Sequence, residues 1–226
     1  VYLVFIVVFV RFVMKRFYLS VLFLCSFGSL FAGGPSFAFC DYSQGKVFIQ
    51  ENGEIVWEHK APDSNDIWVL PNKNILFTAG KEVLEVSRKN DTIFHYTSES
   101  NIFACQRLKN GNTFIGECDN GRLLEVSPDG SIVKDVSILP FGVKTGGHAF
   151  MRNARCLDNG HYLVAHYGGK SVVEYDENGK AVWNIPISGG AHSVIRLPSG
   201  NTLVAVTDKD NNPGVFEYDM AGNIVW

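Results

Sequence analysis

The stretch HAFMRNARCLDNGHYLVAHY, residues 148–167, gathers histidines, arginines and tyrosines at a density found nowhere else in this sequence. Imidazole titrates near neutrality and can move a proton, and guanidinium offers anions a forked pair of donors. His148, Arg152 and a later histidine, His192, are therefore the candidate catalytic groups. As candidate ligand-binding residues, Asp66, Asn153, His166, Tyr167 and Asp208 join them. A cationic, imidazole-bearing set of this kind suits a small anionic ligand such as a sulfate ester or a carboxylate. The sequence shows no Asp, Asn and Glu cluster with metal-site spacing, and its cysteines lack metal-ligand spacing, so no metal is expected.

Whether these groups meet depends on the elements that carry them. The chain has 226 residues, 46% of them apolar, which is ample for a globular core. Its formal net charge of -3 gives no basic footprint, so no nucleic-acid partner is expected. Abundant glycine beside Val, Ile, Phe and Tyr predicts short strands and tight turns, and no helical period stands out beyond the N-terminus.

Residues 1–32 are a different material, almost wholly apolar and broken by Arg11, Lys15 and Arg16. Met14-Lys15-Arg16 followed by FYLSVLFLCSFGSLFA reads as a signal peptide with a small-residue cleavage point near Ala32, preceded by an upstream extension. A retained membrane anchor is the alternative, since the apolar length approaches the ~20 residues that span a bilayer. The expected location is extracytoplasmic, periplasmic or secreted, with membrane contact only through this segment if it stays uncleaved. Export permits disulfides among Cys40, Cys105, Cys118 and Cys156. A two-residue turn at Asn110-Gly111 would pair Cys105 with Gly116 and leave Cys118 a distant diagonal neighbour, so buried free thiols are expected.

Residues 36–226 are repetitive. IWVLPNKNILFTA (67–79), ACQRLKNGNTFIGE (104–117), ARCLDNGHYLVAH (154–166) and SVIRLPSGNTLVAV (193–206) each read strand, Asn/Ser-Gly or Asn-Lys turn, strand. Asn-Gly between apolar runs predicts type I′ hairpins. A second hairpin follows each copy: VLEVSRKNDTIFHY (83–96), LLEVSPDGSIVKDV (123–136), VVEYDENGKAVWNI (172–185) and VFEYDMAGNIVW (215–226), with an earlier copy at 46–59. Two hairpins every forty or so residues in an all-β chain imply a β-propeller of four-stranded antiparallel blades. About five blades are represented, and the expectation is an incomplete ring. Glu85, Glu125, Glu174 and Glu217 hold one register, expected to pair with neighbouring-blade arginines or turn amides. Trp57, Phe94, Trp183 and Trp226 hold another, expected to pack between blades.

The motifs Asp176-Glu-Asn-Gly179-Lys-Ala-Val-Trp183 and Asp219-Met-Ala-Gly222-Asn-Ile-Val-Trp226 resemble the blade repeat of the pyrroloquinoline-quinone (PQQ) protein superfamily. Leu-Pro-Ser-Gly-Asn-Thr-Leu at 197–203 is similar to blades of arylsulfotransferase-like propellers. The resemblance covers about residues 36–226 and implies the propeller fold. Quinoprotein dehydrogenases carry vicinal cysteines and calcium-binding carboxylates, and this chain has neither, so its residues do not support PQQ and no cofactor is expected. Arylsulfotransferase-like enzymes face their channel with histidine, arginine and asparagine, residue types present in 146–154 and 189–197.

With the strands of a blade named a to d from the channel outwards, the d-to-a and b-to-c connections share one face. His148, Arg152, Asn153 and His192 are placed in d-to-a connections, His166 at the end of a strand b, and His161 at a turn on the opposite face. The expected function is an exported propeller presenting this channel face to a small ligand, a glycan or a protein partner. The alternative is an arylsulfotransferase-like or quinoprotein-like enzyme using His148 or His192 with Arg152.

Overall fold

The computed structural model describes residues 34–138, 147–207 and 213–226, so the candidate signal segment, residues 139–146 and Asp208 lie outside it. The described chain is a β-propeller of five antiparallel blades. Blade 1 is β1 (Phe37–Asp41), β2 (Lys46–Glu51) and β3 (Glu54–Lys60), and blade 2 is β4 (Ile67–Val69), β5 (Ile75–Ala79), β6 (Glu82–Val86) and β7 (Thr92–Thr97). Blade 3 is β8 (Ile102–Arg107), β9 (Thr113–Glu117), β10 (Arg122–Val126) and β11 (Ile132–Ser137). A single-turn helix, α1 (Gly147–Phe150), leads into blade 4: β12 (Asn153–Cys156), β13 (Tyr162–His166), β14 (Ser171–Tyr175) and β15 (Ala181–Pro186). Blade 5 is β16 (Gly190–Arg196), β17 (Thr202–Thr207) and β18 (Gly214–Tyr218), followed by a bridge from Tyr218 to Ile224. Strands β4, β8, β12 and β16 are the inner strands, each followed by a leucine: Leu70, Leu108, Leu157 and Leu197.

Blades 2 to 4 bury both faces, and the four apolar clusters of the described residues are the four junctions between consecutive blades. At the junction of blades 2 and 3, Leu76, Val83 and Phe94 meet Cys105, Ile115, Leu124 and Val126. At the next, Phe114, Leu123 and Val136 meet Ala154, Tyr162, Val164 and Val173. Strand alternation explains the division, since odd and even residues of each strand serve opposite neighbours. Each fully buried aliphatic or aromatic side chain contributes about 1.5–3 kcal/mol, so the junctions supply most of the stability.

The polar repeats stitch the same junctions. Arg107 of blade 3 donates to Glu85 of blade 2 at 2.7 Å, and Arg196 of blade 5 to Glu174 of blade 4 at 2.7 Å. The other carboxylate oxygen of each holds the inner turn of its own blade, through Asn74 at 2.7 Å and His161 at 2.8 Å. The aromatic across the sheet from each glutamate completes the contact. Arg107 lies 5.2 Å over the Phe94 ring and Arg196 4.5 Å over that of Trp183. Trp57 is buried at its junction, but Trp226 departs from the expected packing and is 72% exposed.

The inner hairpins correct the turn expectation. In Leu108–Asn112 the Gly111 amide donates to the Leu108 carbonyl, and the Leu108 amide to Asn112, which encloses one residue more than a two-residue loop does. Only the glycine is left-handed there, with φ 90° at Gly111. Asn110 is an ordinary turn residue, and only Asn52-Gly53, between β2 and β3, has both residues at positive φ. The longer turn shifts the register, so Cys105 pairs with Ile115 rather than Gly116. No disulfide joins any two of the four described cysteines, of which Cys105 and Cys118 are buried and Cys40 and Cys156 half-buried.

Candidate functional site

Five residues before each inner-strand leucine stand Asn65, Phe103, Arg152 and His192, one from each of blades 2 to 5. The pairing is irregular at this position in blades 3, 4 and 5, and a side chain bridges it in blade 2. In β8 the pairing to β9 slips between Ile102 and Ala104, and in β16 the pairing to β17 slips between Ala191 and Ser193. Ahead of β12, the Arg152 amide donates to the Ala165 carbonyl while Asn153 is already paired with Ala165. In blade 2, Thr78 Oγ1 accepts from the amides of both Asn65 and Asp66, at 2.9 and 3.1 Å. In blades 3, 4 and 5 two residues oppose one, which is a β-bulge, and a bulge re-aims the side chain it carries.

Three of the four positions form a continuous contact. The Arg152 guanidinium lies 4.9 Å over the Phe103 ring, and its Nε donates to His192 Nε2 at 3.2 Å. Because Nε2 accepts, the His192 proton sits on Nδ1 in this arrangement. Tyr167, from the β13–β14 connection, meets His192 edge-on with ring centroids 6.5 Å apart. Its ring rests on Gly190, where any Cβ would collide with it, so the Gly189-Gly190 pair makes room for packing. Asn65 turns back into its own connection and donates to the Asp63 carbonyl. Burial lowers the Arg152 pKa, against the opposing influence of Cys118, Tyr42 and Tyr167. Arg152 has no carboxylate partner among the described residues, whereas Arg88, Arg107, Arg122, Arg155 and Arg196 each pair with one.

Deeper on the same inner strands a second group faces the axis. Arg155 of β12 forms a two-pronged ion pair with Asp66, Nη1 to Oδ2 at 2.6 Å and Nη2 to Oδ1 at 3.0 Å. The pair joins blade 4 to blade 2 past blade 3, which is possible only on the channel side. Asp66 Oδ2 also accepts the Cys105 amide at 3.0 Å, and the Arg155 guanidinium lies 5.0 Å over Trp68. Asn153 repeats the stitch at the junction of blades 4 and 5, its Oδ1 accepting the Val194 amide at 3.3 Å.

The structure therefore separates the sequence candidates. Arg152, His192 and Tyr167 come together. Asp66 and Asn153 are buried and committed to neighbouring blades. His166 ends β13 as expected, but its side chain is fully buried, donating from Nδ1 to the Phe150 carbonyl at 2.6 Å and accepting at Nε2 from the Tyr175 hydroxyl at 2.7 Å. Burial pushes its imidazole down to about 4. His192 lies inside β16 rather than in the connection before it, and the bulge carries it to the mouth. His148 lies on α1, its side chain outside what is described, as is Asp208. His161 belongs to the opposite face and accompanies Glu174. Two residues escaped the sequence reading: Phe103, which aligning the four inner strands on their leucines would have found, and Arg155, whose partner is 89 residues away. Among the described residues no three His, Cys, Asp or Glu side chains gather as a metal site.

No known protein family matches this sequence, and no curated protein does. Solved structures share the architecture. A protein of unknown function from Bacteroides caccae is 22% identical, with a TM-score of 0.73, over 84% of this chain and 70% of that one. A streptogramin B lyase is 16% identical, with a TM-score of 0.59, over 83% of this chain and 63% of that one. The WD40 propeller domain of Doa1 is 15% identical, with a TM-score of 0.59, over 77% of this chain and 60% of that one. At these identities the likeness is one of fold, and the chain spans about two thirds of their length.

Proposed function

We propose that this chain is an exported binding propeller that takes a small anionic ligand at its channel mouth, between Phe103, Arg152, Tyr167 and His192. One observation carries the reading: Arg152 is half-buried and has no described carboxylate, while every other described arginine has one. A desolvated cation without a counter-charge is costly, and a ligand carboxylate, sulfate or phosphate ester would relieve that cost with charge-assisted hydrogen bonds. Phe103 and Tyr167 offer ring faces or edges to an aromatic or sugar portion of such a ligand. Support for export is the charged and apolar pattern of residues 1–32. A transfer enzyme of the arylsulfotransferase-like kind is the second reading, favoured by the direct Arg152–His192 contact, which pairs an anion-binding group with a proton acceptor.

Titration with 4-nitrophenyl sulfate and 4-nitrobenzoate, followed by calorimetry, tests the proposal. Arg152→Ala should weaken binding about ten-fold or more, the worth of one charged hydrogen bond. Equal affinities for the parent and Arg152→Ala chains would rule the mouth out as the site. Transfer of the sulfuryl group from 4-nitrophenyl sulfate to a phenolic acceptor, with release of 4-nitrophenol and lost in His192→Ala, would select the enzyme.

A further inference from the structure

The junctions follow a rule that blade 5 leaves open among the described residues. An arginine stands immediately before the inner-strand leucine in blades 3 and 5, as Arg107 and Arg196. In both cases the preceding blade offers a glutamate and, directly across the sheet from it, an aromatic: Glu85 with Phe94 and Glu174 with Trp183. Where one half of that socket is missing, the arginine is missing too. Blade 1 has Trp57 opposite Ile49, and Val69 follows in blade 2. Blade 3 has Glu125 opposite Lys134, and Cys156 follows in blade 4.

Blade 5 has both halves. The Glu217 amide donates to the Trp226 carbonyl at 2.8 Å, and the Val225 amide returns a 2.8 Å bond to the Glu217 carbonyl, so the two residues pair as their counterparts do. Asn201 holds Glu217 Oε1 at 2.7 Å, as Asn74 holds Glu85. The apolar surround is also present but uncovered. Val215 is 38% exposed, whereas its counterparts Val83, Leu123 and Val172 are each 0% exposed, and Trp226 is 72% exposed against 5% for Phe94.

We propose that this face of β16–β18 is a docking surface for an inner β-hairpin that ends its first strand in Arg-Leu, the arginine entering between Glu217 and Trp226. The charge complement decides the occupant. A second copy of this chain offers no such arginine, because Arg107 and Arg196 already occupy their own sockets. The outer side of blade 1 carries the half-buried Phe37 and Phe39, with no arginine in that register among the described residues.

A backbone-cyclised peptide copying residues 190–207 carries the arginine in its native hairpin and serves as the probe. Added to the intact chain, it should shield Trp226 from acrylamide quenching, with Trp226→Phe as the blank. Replacing the peptide's arginine with alanine should weaken binding about ten-fold or more, and Glu217→Gln in the chain should abolish that difference. Equal binding of the two peptides, or none at millimolar concentration, overturns the proposal. Concentration-dependent shielding of Trp226 without peptide overturns it in favour of self-association.

Discussion

His166 makes the fold sensitive to mild acid, and the structure sets the size of the effect. Its imidazole is fully buried, with Nδ1–H donated to the Phe150 carbonyl and Nε2 accepting from Tyr175. Protonation would turn Nε2 into a donor facing a hydroxyl and place a charge in an apolar interior. Burial accordingly holds the pKa at about 4, against 6.5 for an ordinary histidine, with the Phe150 bond opposing the shift. The sign follows from linkage. Between these two values the unfolded chain binds the proton and the folded chain does not, so stability is at its full value above pH 6.5 and falls as the pH drops towards 4. At about 1.4 kcal/mol per pH unit, the loss is on the order of 3 kcal/mol. The described carboxylates with lowered pKa, including Asp135 and Asp176, have an ordinary value of 3.8 and exert their effect below this window. Urea denaturation at half-unit intervals from pH 7 to pH 4.5 measures the slope directly. His166→Gln should lower stability at pH 7 by about 1–3 kcal/mol, by leaving buried partners unsatisfied, and should flatten the slope. A slope that survives in His166→Gln, or a parent chain with no slope, would refute the reasoning.

Two further outcomes follow. Asp66→Asn should destabilise the chain by about 3–5 kcal/mol, because it strands the buried Arg155 charge, while the double change Asp66→Leu with Arg155→Met should recover only part of the loss, since the Cys105 amide stays unpaired; both are read as shifts in the urea midpoint. Burial pushes the Cys118 thiol up to about 12 and raises that of Cys105 as well, so Ellman's reagent at pH 8 should react slowly with both in the native chain and rapidly in denaturant. Fast native labelling of either residue would contradict that burial.

The propeller was legible because its signals are local and repeated. Leucine, turn and glutamate recur at fixed spacing, and an Asx or glycine turn specifies itself within four residues. The glutamate pairing could be anticipated because both partners belong to the repeat. What escaped were consequences of register. Asn110-Gly111 permits a two-residue turn or the longer one, and only the strands decide which forms. The slip at Phe103 and His192 has no residue signature, since a bulge depends on how two strands pair. His166 was placed on the correct strand end, but its partner carbonyl at Phe150 comes from a non-repeating segment. Asp66 and Arg155 lie 89 residues apart and meet only when three blades are assembled.

The bulged position also explains how a repeat this regular can carry a specific site. The junction residues answer to two neighbouring blades, so their sizes and charges are tied together, as the coupled Glu, aromatic and Arg positions show. The bulged residue is released from that obligation. Its amide shares one opposing partner with the next residue, and at Phe103, Arg152 and His192 the side chain leaves the alternation that fills the junctions. Changing it costs the scaffold little, which is why equivalent positions hold Asn65, Phe103, Arg152 and His192. The residue just after it carries the opposite constraint: Asp66 and Asn153 both accept an amide of the following blade. In blade 4 a mouth-facing side chain, Arg152, thus stands directly beside a junction-holding one, Asn153. Specificity can change at the first without loosening the second.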